Sequence, residues 1–167
     1  RIDTLNGLIQ DLLLFARPPQ PRPALVDVAP LIETTMDLLR ADPTLSGVQV
    51  ELEGEAPPVM ADPELLKIVF QNLLVNSAQA MHGRGRIHVS VATADEMCHV
   101  RFADSGPGIP AEIREKIFMP FFTTKARGTG LGLPTAKRLI EAHEGAITID
   151  CPPAGGTAVT VRLPLAD

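Results

Sequence analysis

Tryptophan and tyrosine are absent from the 167 residues, and six phenylalanines supply every aromatic ring. No basic stretch with interleaved aromatics exists in the sequence, which removes the usual footprint of a nucleic-acid-binding module. Cysteine is scarce too. Cys98 and Cys151 stand far apart with no CxxC spacing, which argues against zinc and for two free thiols, buried or half-buried, in a reducing compartment. There is no run of 18 or more apolar residues and no signal-peptide pattern at the N-terminus. Positive charge is in deficit: 15 Lys and Arg against 20 Asp and Glu leave a net charge of −5, so any phosphate binding has to be local.

What remains is an ordinary globular composition, 45% hydrophobic and 21% charged, in a length that suits about one domain. The chain opens at Arg1, without Met and inside a helical pattern, so the expectation is a piece of something longer. From Arg1 to Ala16 the spacing of Leu5, Leu8, Leu12 and Phe15 gives an a/d-like seam, widened by its apolar neighbours as in a helical bundle. That face is expected to pack against another helix, from a second chain or from sequence outside this piece. Four prolines between Arg17 and Pro23 stop the helix and make a semi-rigid spacer.

Beyond the spacer, Leu25–Val28 reads as a short strand, and 30–41 as an amphipathic helix with Leu31, Ile32, Thr35, Leu38 and Leu39 inward. Val48–Leu52 alternates as a half-buried strand, and Val59–Ala61 allows a very short one. Asp62 followed by Pro63 is an N-cap with proline in the first turn, opening a helix that runs to about Met81 and ends at Gly83. Residues 86–93 and 97–103 form a hairpin pattern, 133–143 a helix, and 146–150 and 157–163 two closing strands. The predicted fold class is α+β: a two-layer α/β sandwich, its mixed and mostly antiparallel sheet carrying helices on one face, preceded by one bundle helix.

Chemistry concentrates between Asp104 and Leu133. Two glycine clusters, Gly106 with Gly108 and Gly128 with Gly130 and Gly132, bracket a loop, and the second cluster opens onto a helix. Glycine lets backbone amides wrap an anion, and a helix N-terminus favours negative charge, so the stretch reads as a phosphate-binding lid over a nucleotide. Asn72 and Asn76 share one helical face beside small Ser77, Ala78 and Ala80, a wall that a ligand can approach; an asparagine carbonyl oxygen suits Mg²⁺ held in turn by phosphates. Asp104 ends a strand before Gly106. It is either an acceptor for an exocyclic amine, as on adenine, or the first residue of an Asx-turn.

Taken together, these stretches resemble the ATP-binding catalytic domain of two-component sensor histidine kinases, within the GHKL superfamily. Asn72-Leu-Leu-Val-Asn76-Ser-Ala-Gln-Ala80 is similar to the N box, and Asp104-Ser-Gly106-Pro-Gly108-Ile to the G1 box. Ile117-Phe118-Met-Pro120-Phe121-Phe122-Thr-Thr-Lys125 resembles the F box, and Gly128-Thr-Gly130-Leu-Gly132-Leu, with Lys137 beyond it, the G2 box. The end, Gly155-Gly156-Thr157-Ala-Val-Thr-Val, is like the family's last strand. Any one glycine motif is weak; four in this order are specific. The resemblance covers about 25–165, and Phe15-Ala16-Arg17-Pro18 is similar to nitrogen- and metal-responsive sensor kinases.

The resemblance implies residues 1–16 as the last helix of a dimerisation and phosphoacceptor bundle, 17–24 as the linker and 25–167 as the catalytic domain. It implies ATP or ADP and Mg²⁺ as ligands, with Asn72, Asn76 and Lys125 catalytic and Asn76 on the metal. Asp104 would take the adenine amine, Gly108 and Thr157 would shape that pocket, and Lys125 and Arg127 would meet the β- and γ-phosphates. The nucleotide-contacting set also includes Gly106, Gly128, Thr129, Gly130, Leu131 and Gly132. Phe118, Phe121 and Phe122 would anchor the lid by burial. Implied partners are the protein's own phosphoacceptor helical domain, a response regulator receiver domain and a second copy of the chain, and the implied location is the cytoplasmic part of a sensor.

Asn72 departs from the gyrase-like members, which carry a glutamate there to activate water. An amide cannot be a general base, so transfer to a side chain is expected rather than hydrolysis. His82, His88, His99 and His143 lie in no His-Glu-x-x-Asn-Pro setting, so the acceptor histidine is expected upstream of Arg1 and this piece alone is not expected to phosphorylate itself. A serine-directed kinase of the anti-sigma type and a non-catalytic nucleotide-sensing module are the competing readings.

Overall fold

The spacing of apolar residues and the placement of caps translate into four helices and two sheets in a computed structural model that describes residues 2–122 and 130–166, with side chains from residue 9 onward. Helix α1 is Ile2–Ala16, strand β1 Ala24–Val26, helix α2 Val28–Leu39, strand β2 Gly47–Gly54 and strand β3 Val59–Ala61. Helix α3 is Pro63–Ala80, strand β4 Arg84–Ala94, strand β5 Met97–Asp104, helix α4 Gly132–Glu141, strand β6 Ala146–Asp150 and strand β7 Thr157–Pro164. The main sheet has the order β2-β4-β5-β7-β6, with β2 parallel to β4 and the other pairs antiparallel. Strands β1 and β3 form a separate antiparallel ribbon in which Ala24 already pairs with Ala61.

Alternation along the strands points Ile87, Val89, Val91, Val100, Phe102, Val159 and Val161 at the helices, where they are buried. The α3 helix fills the centre of the helical layer, touching α2 and α4 at its sides and β4 and β5 beneath. It buries Leu65, Leu66, Val69, Phe70, Leu73, Leu74 and Ala78, and the Phe70 and Phe102 rings meet at 5.8 Å between centroids. Helix α2 starts at Val28, two residues earlier than its periodicity indicates, because Asp27 takes the N-cap position and proline is tolerated in a first turn. Leu38, expected inward, is exposed, since Ile32 and Thr35 set the buried face.

Helix α1 finds a partner within the chain. Phe15 lies under Arg138 of α4, with the guanidinium 5.1 Å from the ring centroid, and Leu14 packs against the core. The expected seam is thus divided: Phe15 faces α4, Ile9, Leu12 and Leu13 remain exposed, and the side chains of Leu5 and Leu8 lie outside the described residues.

Asp62 is where three elements join. Its Oδ1 accepts from the Glu64 and Leu65 amides at 3.0 and 3.3 Å, capping α3, and its Oδ2 accepts from the Arg22 amide of the proline-rich segment at 2.9 Å. Its own N–H donates to His143 Nε2 at 3.0 Å, while His143 Nδ1 donates to the Leu139 carbonyl at 2.7 Å. Both nitrogens of this buried imidazole are therefore used, which fixes the neutral tautomer with its proton on Nδ1. His143 is structural, as expected from its sequence setting. Burial pushes the Asp62 carboxyl up, but the hydrogen bonds it accepts from the amides of Arg22, Leu65 and Glu64 outweigh that and hold its pKa below the ordinary value.

A carboxyl whose folded pKa is depressed contributes stability above its unfolded pKa and loses it as pH falls through the folded value. Asp62→Ala should therefore lower stability by about 1–2 kcal/mol at neutral pH. The gap to the unsubstituted chain should close below about pH 4. Urea unfolding followed by far-UV circular dichroism checks both.

Candidate functional site

The candidate site starts where β5 ends beside the start of β7, with the end of α3 packed against the same turn. Asp104 closes β5, opposite Thr157 at the start of β7. Its Oδ1 accepts from the Gly106 amide at 3.0 Å and from the Thr157 amide at 3.1 Å, while Oδ2 takes part in neither bond. The two readings of Asp104 thus coexist in one side chain. One oxygen makes the Asx-turn, and that turn aims a carboxylate whose other oxygen is uncommitted to those amides.

The turn is clamped from behind. Ser105 Oγ accepts from the Arg86 amide at 3.0 Å and donates to Met81 Sδ at 3.4 Å, and the Ser105 amide donates to the Arg86 carbonyl at 3.1 Å. A side chain on Gly106 would stand 3.1 Å from Met81 Cγ, so the last turn of α3 lies directly against the glycine turn. Gly156 holds φ +79° with its backbone against the Asp104 carbonyl, where any Cβ would collide. Ile109 is tied down by Arg114 Nε, which donates to its carbonyl at 2.9 Å.

Asn72 and Asn76 are half-buried on α3, one turn apart. Gly132 begins α4 facing Asn72, and a Cβ there would lie 3.9 Å from Asn72 Oδ1. Leu131 before it is fully buried and its carbonyl accepts from the Thr135 amide, closing the first turn of α4, in which Pro134 is buried. The Phe121 amide donates to the Gly130 carbonyl at 3.0 Å, and Gly130 at φ +74° presses on the Phe121 backbone where no side chain fits.

Residues 61–167, well over half the chain, match the family described as Histidine kinase-, DNA gyrase B-, and HSP90-like ATPase. The chain belongs to this ATPase family. Within it the likeness is to sensor histidine kinases, and the chain is an ATP-binding catalytic domain of that type. The signal transduction histidine-protein kinase AtoS of Escherichia coli K12 is 40% identical over 171 residues, which cover 98% of this chain and 28% of AtoS. Full-length ShkA in complex with AMPPNP superposes with a TM-score of 0.85 at 26% identity, over 98% of this chain and 36% of ShkA. Histidine kinase ThkA in complex with the response regulator protein TrrA gives a TM-score of 0.81 at 26% identity, over 99% of this chain and 48% of that one. The chain spans roughly a quarter to a third of the length of curated relatives such as AtoS, sporulation kinase E and ZraS.

In this ATPase-family domain the sequence-predicted residues fall in two groups: Asp104, Gly106, Gly108 and Thr157 lie around the turn that Gly156 closes, and Gly132, preceded by Gly130 and Leu131, faces Asn72 on α3, with Asn76 one turn further on. Lys125, Arg127, Gly128 and Thr129 lie outside the described residues. One lid expectation is overturned: Phe121 is 60% exposed, because its left-handed φ of 67° at the turn against Gly130 carries the ring outward. Phe118 does anchor, packing on the core with Lys137 Nζ 5.4 Å over its ring, and Phe122 is half-buried. Burial pushes the Cys98 thiol up to about 11, so it is no nucleophile at neutral pH.

Sequence reading passed over Met81 and Ser105, which hold the turn. The available signal was a small hydroxyl between Asp104 and Gly106 and a methionine immediately after the asparagine helix.

Gly156→Ala should destabilise the fold by more than about 1–2 kcal/mol, since a left-handed φ and a clash with the Asp104 carbonyl add. Gly155→Ala meets nothing within 4 Å and carries only the backbone strain of its φ +109°. Thermal unfolding of the two variants should show the larger loss at Gly156.

Proposed function

We propose that this chain binds Mg²⁺-ATP and delivers the γ-phosphoryl group to a histidine on a helical phosphoacceptor domain, for relay to the receiver domain of a response regulator. The observation that carries the reading is the Asp104 carboxylate, with Oδ1 committed to the Gly106 and Thr157 amides and Oδ2 outside both bonds. A fixed acceptor of this kind suits the exocyclic amine of adenine and opposes the carbonyl that guanine carries in its place. Gly108 and Thr157 shape the base pocket in this reading. Gly106, Gly130, Leu131 and Gly132 bring backbone to the nucleotide, supported by the room left between Gly132 and Asn72.

Asn76, half-buried on the same face of α3 as Asn72, fits a Mg²⁺ ligand, as its amide oxygen is a hard donor. When bound, the ion neutralises phosphate charge. Lys125 and Arg127 with Gly128 and Thr129 complete the phosphate side. Asn72 occupies the position from which water would have to be activated, and its amide takes no proton, so transfer to a side chain is favoured over hydrolysis. Catalysis then rests on positioning by Asn72, Asn76 and Lys125.

The AMPPNP bound to ShkA and the TrrA bound to ThkA support nucleotide and receiver as ligands of this chain. In the same reading residues 1–16 end a dimerisation bundle whose second copy covers exposed Ile9, Leu12 and Leu13, residues 17–24 are the hinge and 25–167 the catalytic domain. The domain would work in the cytoplasmic part of its parent.

Calorimetric titration with ADP and ATP, with and without Mg²⁺, tests the pocket. Binding should occur, and Asp104→Asn should weaken it by roughly 10- to 100-fold, the worth of a hydrogen bond to a charged group. With γ-labelled ATP the chain alone should take up no acid-labile label. An added phosphoacceptor domain should, and Asn76→Ala should stop it. Failure of the unsubstituted chain to bind any adenine nucleotide would overturn the proposal.

A further inference from the structure

The face of the main sheet turned away from the helices has a charge pattern that the nucleotide site does not use. Strand register sets its outward residues in rows across β4, β5 and β7: His88, Ala103 and Ala158, then Ser90, Arg101 and Thr160, then Ala92, His99 and Arg162. Arg86 stands two residues before His88 on the same side of β4. No outward position on these three strands carries a carboxylate. Among the described residues Arg86, Arg101 and Arg162 enter no ion pair, and Arg162 keeps its Nε enclosed without a hydrogen-bond partner. In a chain of net charge −5 this is a local reversal of sign. Acid returns at both edges, as Glu51 and Glu53 on β2, which engage His88, and as Asp150 on β6.

We propose that this face is a docking surface for an acidic protein segment. From Arg86 through Arg101 to Arg162 the cationic strip runs about 20 Å along the strands and about 10 Å across them. That length suits about fourteen residues of helix. Alanine, serine and threonine between the arginines make a low floor, so a segment can lie close. Each guanidinium is a planar fork that takes a carboxylate through two parallel hydrogen bonds. Nucleic acid and anionic membrane fit less well. No aromatic residue stands on the face to stack a base, and the acidic edges repel any phosphate array wider than the central strands. The proposal does not depend on the nucleotide reading, because these side chains lie on the opposite face of the sheet from α3 and α4.

A ¹⁵N-NMR titration of the chain with a short poly-L-glutamate peptide at low salt tests it, with poly-L-lysine as control. Saturable shifts should fall on the outward positions of β4, β5 and β7 and fade as salt rises. Arg101→Gln should weaken binding by about threefold, and adding Arg162→Gln should bring the loss to roughly tenfold. ADP affinity, measured in parallel, should not move. Arg162 is half-buried, so Arg101→Gln on its own decides the matter if the double variant folds poorly. The proposal is overturned by shifts that map elsewhere, by no saturable binding, or by duplex DNA or phosphatidylglycerol vesicles binding more tightly through the same arginines.

Discussion

The central helix α3 packs into the core and carries the two asparagines, Asn72 and Asn76, on the same body, and the rest of the structure follows from how it manages both. Pressed between α2, α4 and the sheet, it buries one stripe, Leu65, Leu66, Val69, Phe70, Leu73, Leu74 and Ala78, while Glu64 and Gln79 stay exposed. Asn72 stands on the side towards the start of α4, where Gly132 leaves room opposite it, and Asn76 follows one turn on. A larger residue at Gly132 or a shift of α3 along its axis would change the same narrow space.

Position along that axis is set at both ends. At the N-terminus Asp62 caps the helix, takes the linker amide of Arg22 and passes its own N–H to His143 beyond α4. At the C-terminus Met81 lies under the Asp104 turn, reached by Ser105. Helix α4 is tied outward as well, with Lys137 over Phe118 on the lid side and Arg138 over Phe15 on α1. Each cation–π contact contributes about 0.5–1 kcal/mol at such partly exposed sites. Their arrangement matters more than their strength, since one ten-residue helix touches α1 through Phe15, the segment after β5 through Phe118, and α3 through Asn72.

Much of this was legible beforehand. The Asp62-Pro63 start of α3, the hairpin of β4 and β5 and the glycine-opened α4 follow from signals within a few residues of each other. Asn72 and Asn76 could be placed on one face from spacing alone, and Asp104 could be placed at a strand end. The failures share a cause. Leu38 and Phe121 are apolar and were expected inside, but their burial was decided by which helix face and which turn conformation neighbouring elements impose. Phe15 belonged to a seam in the sequence and to α4 in the fold.

By itself the sequence determined the elements, their caps and the order of the motif residues, because hydrophobic period, capping and glycine conformation are settled over one or two turns of chain. Only the tertiary structure decided that His143 meets Asp62 across 81 residues, that Thr157 completes the Asp104 turn across 53, and that Arg86, Arg101 and Arg162 share one sheet face. Such pairings have no local preference to announce them. Their free energy exists only once strands are in register and loops have closed, and register depends on the whole core at once.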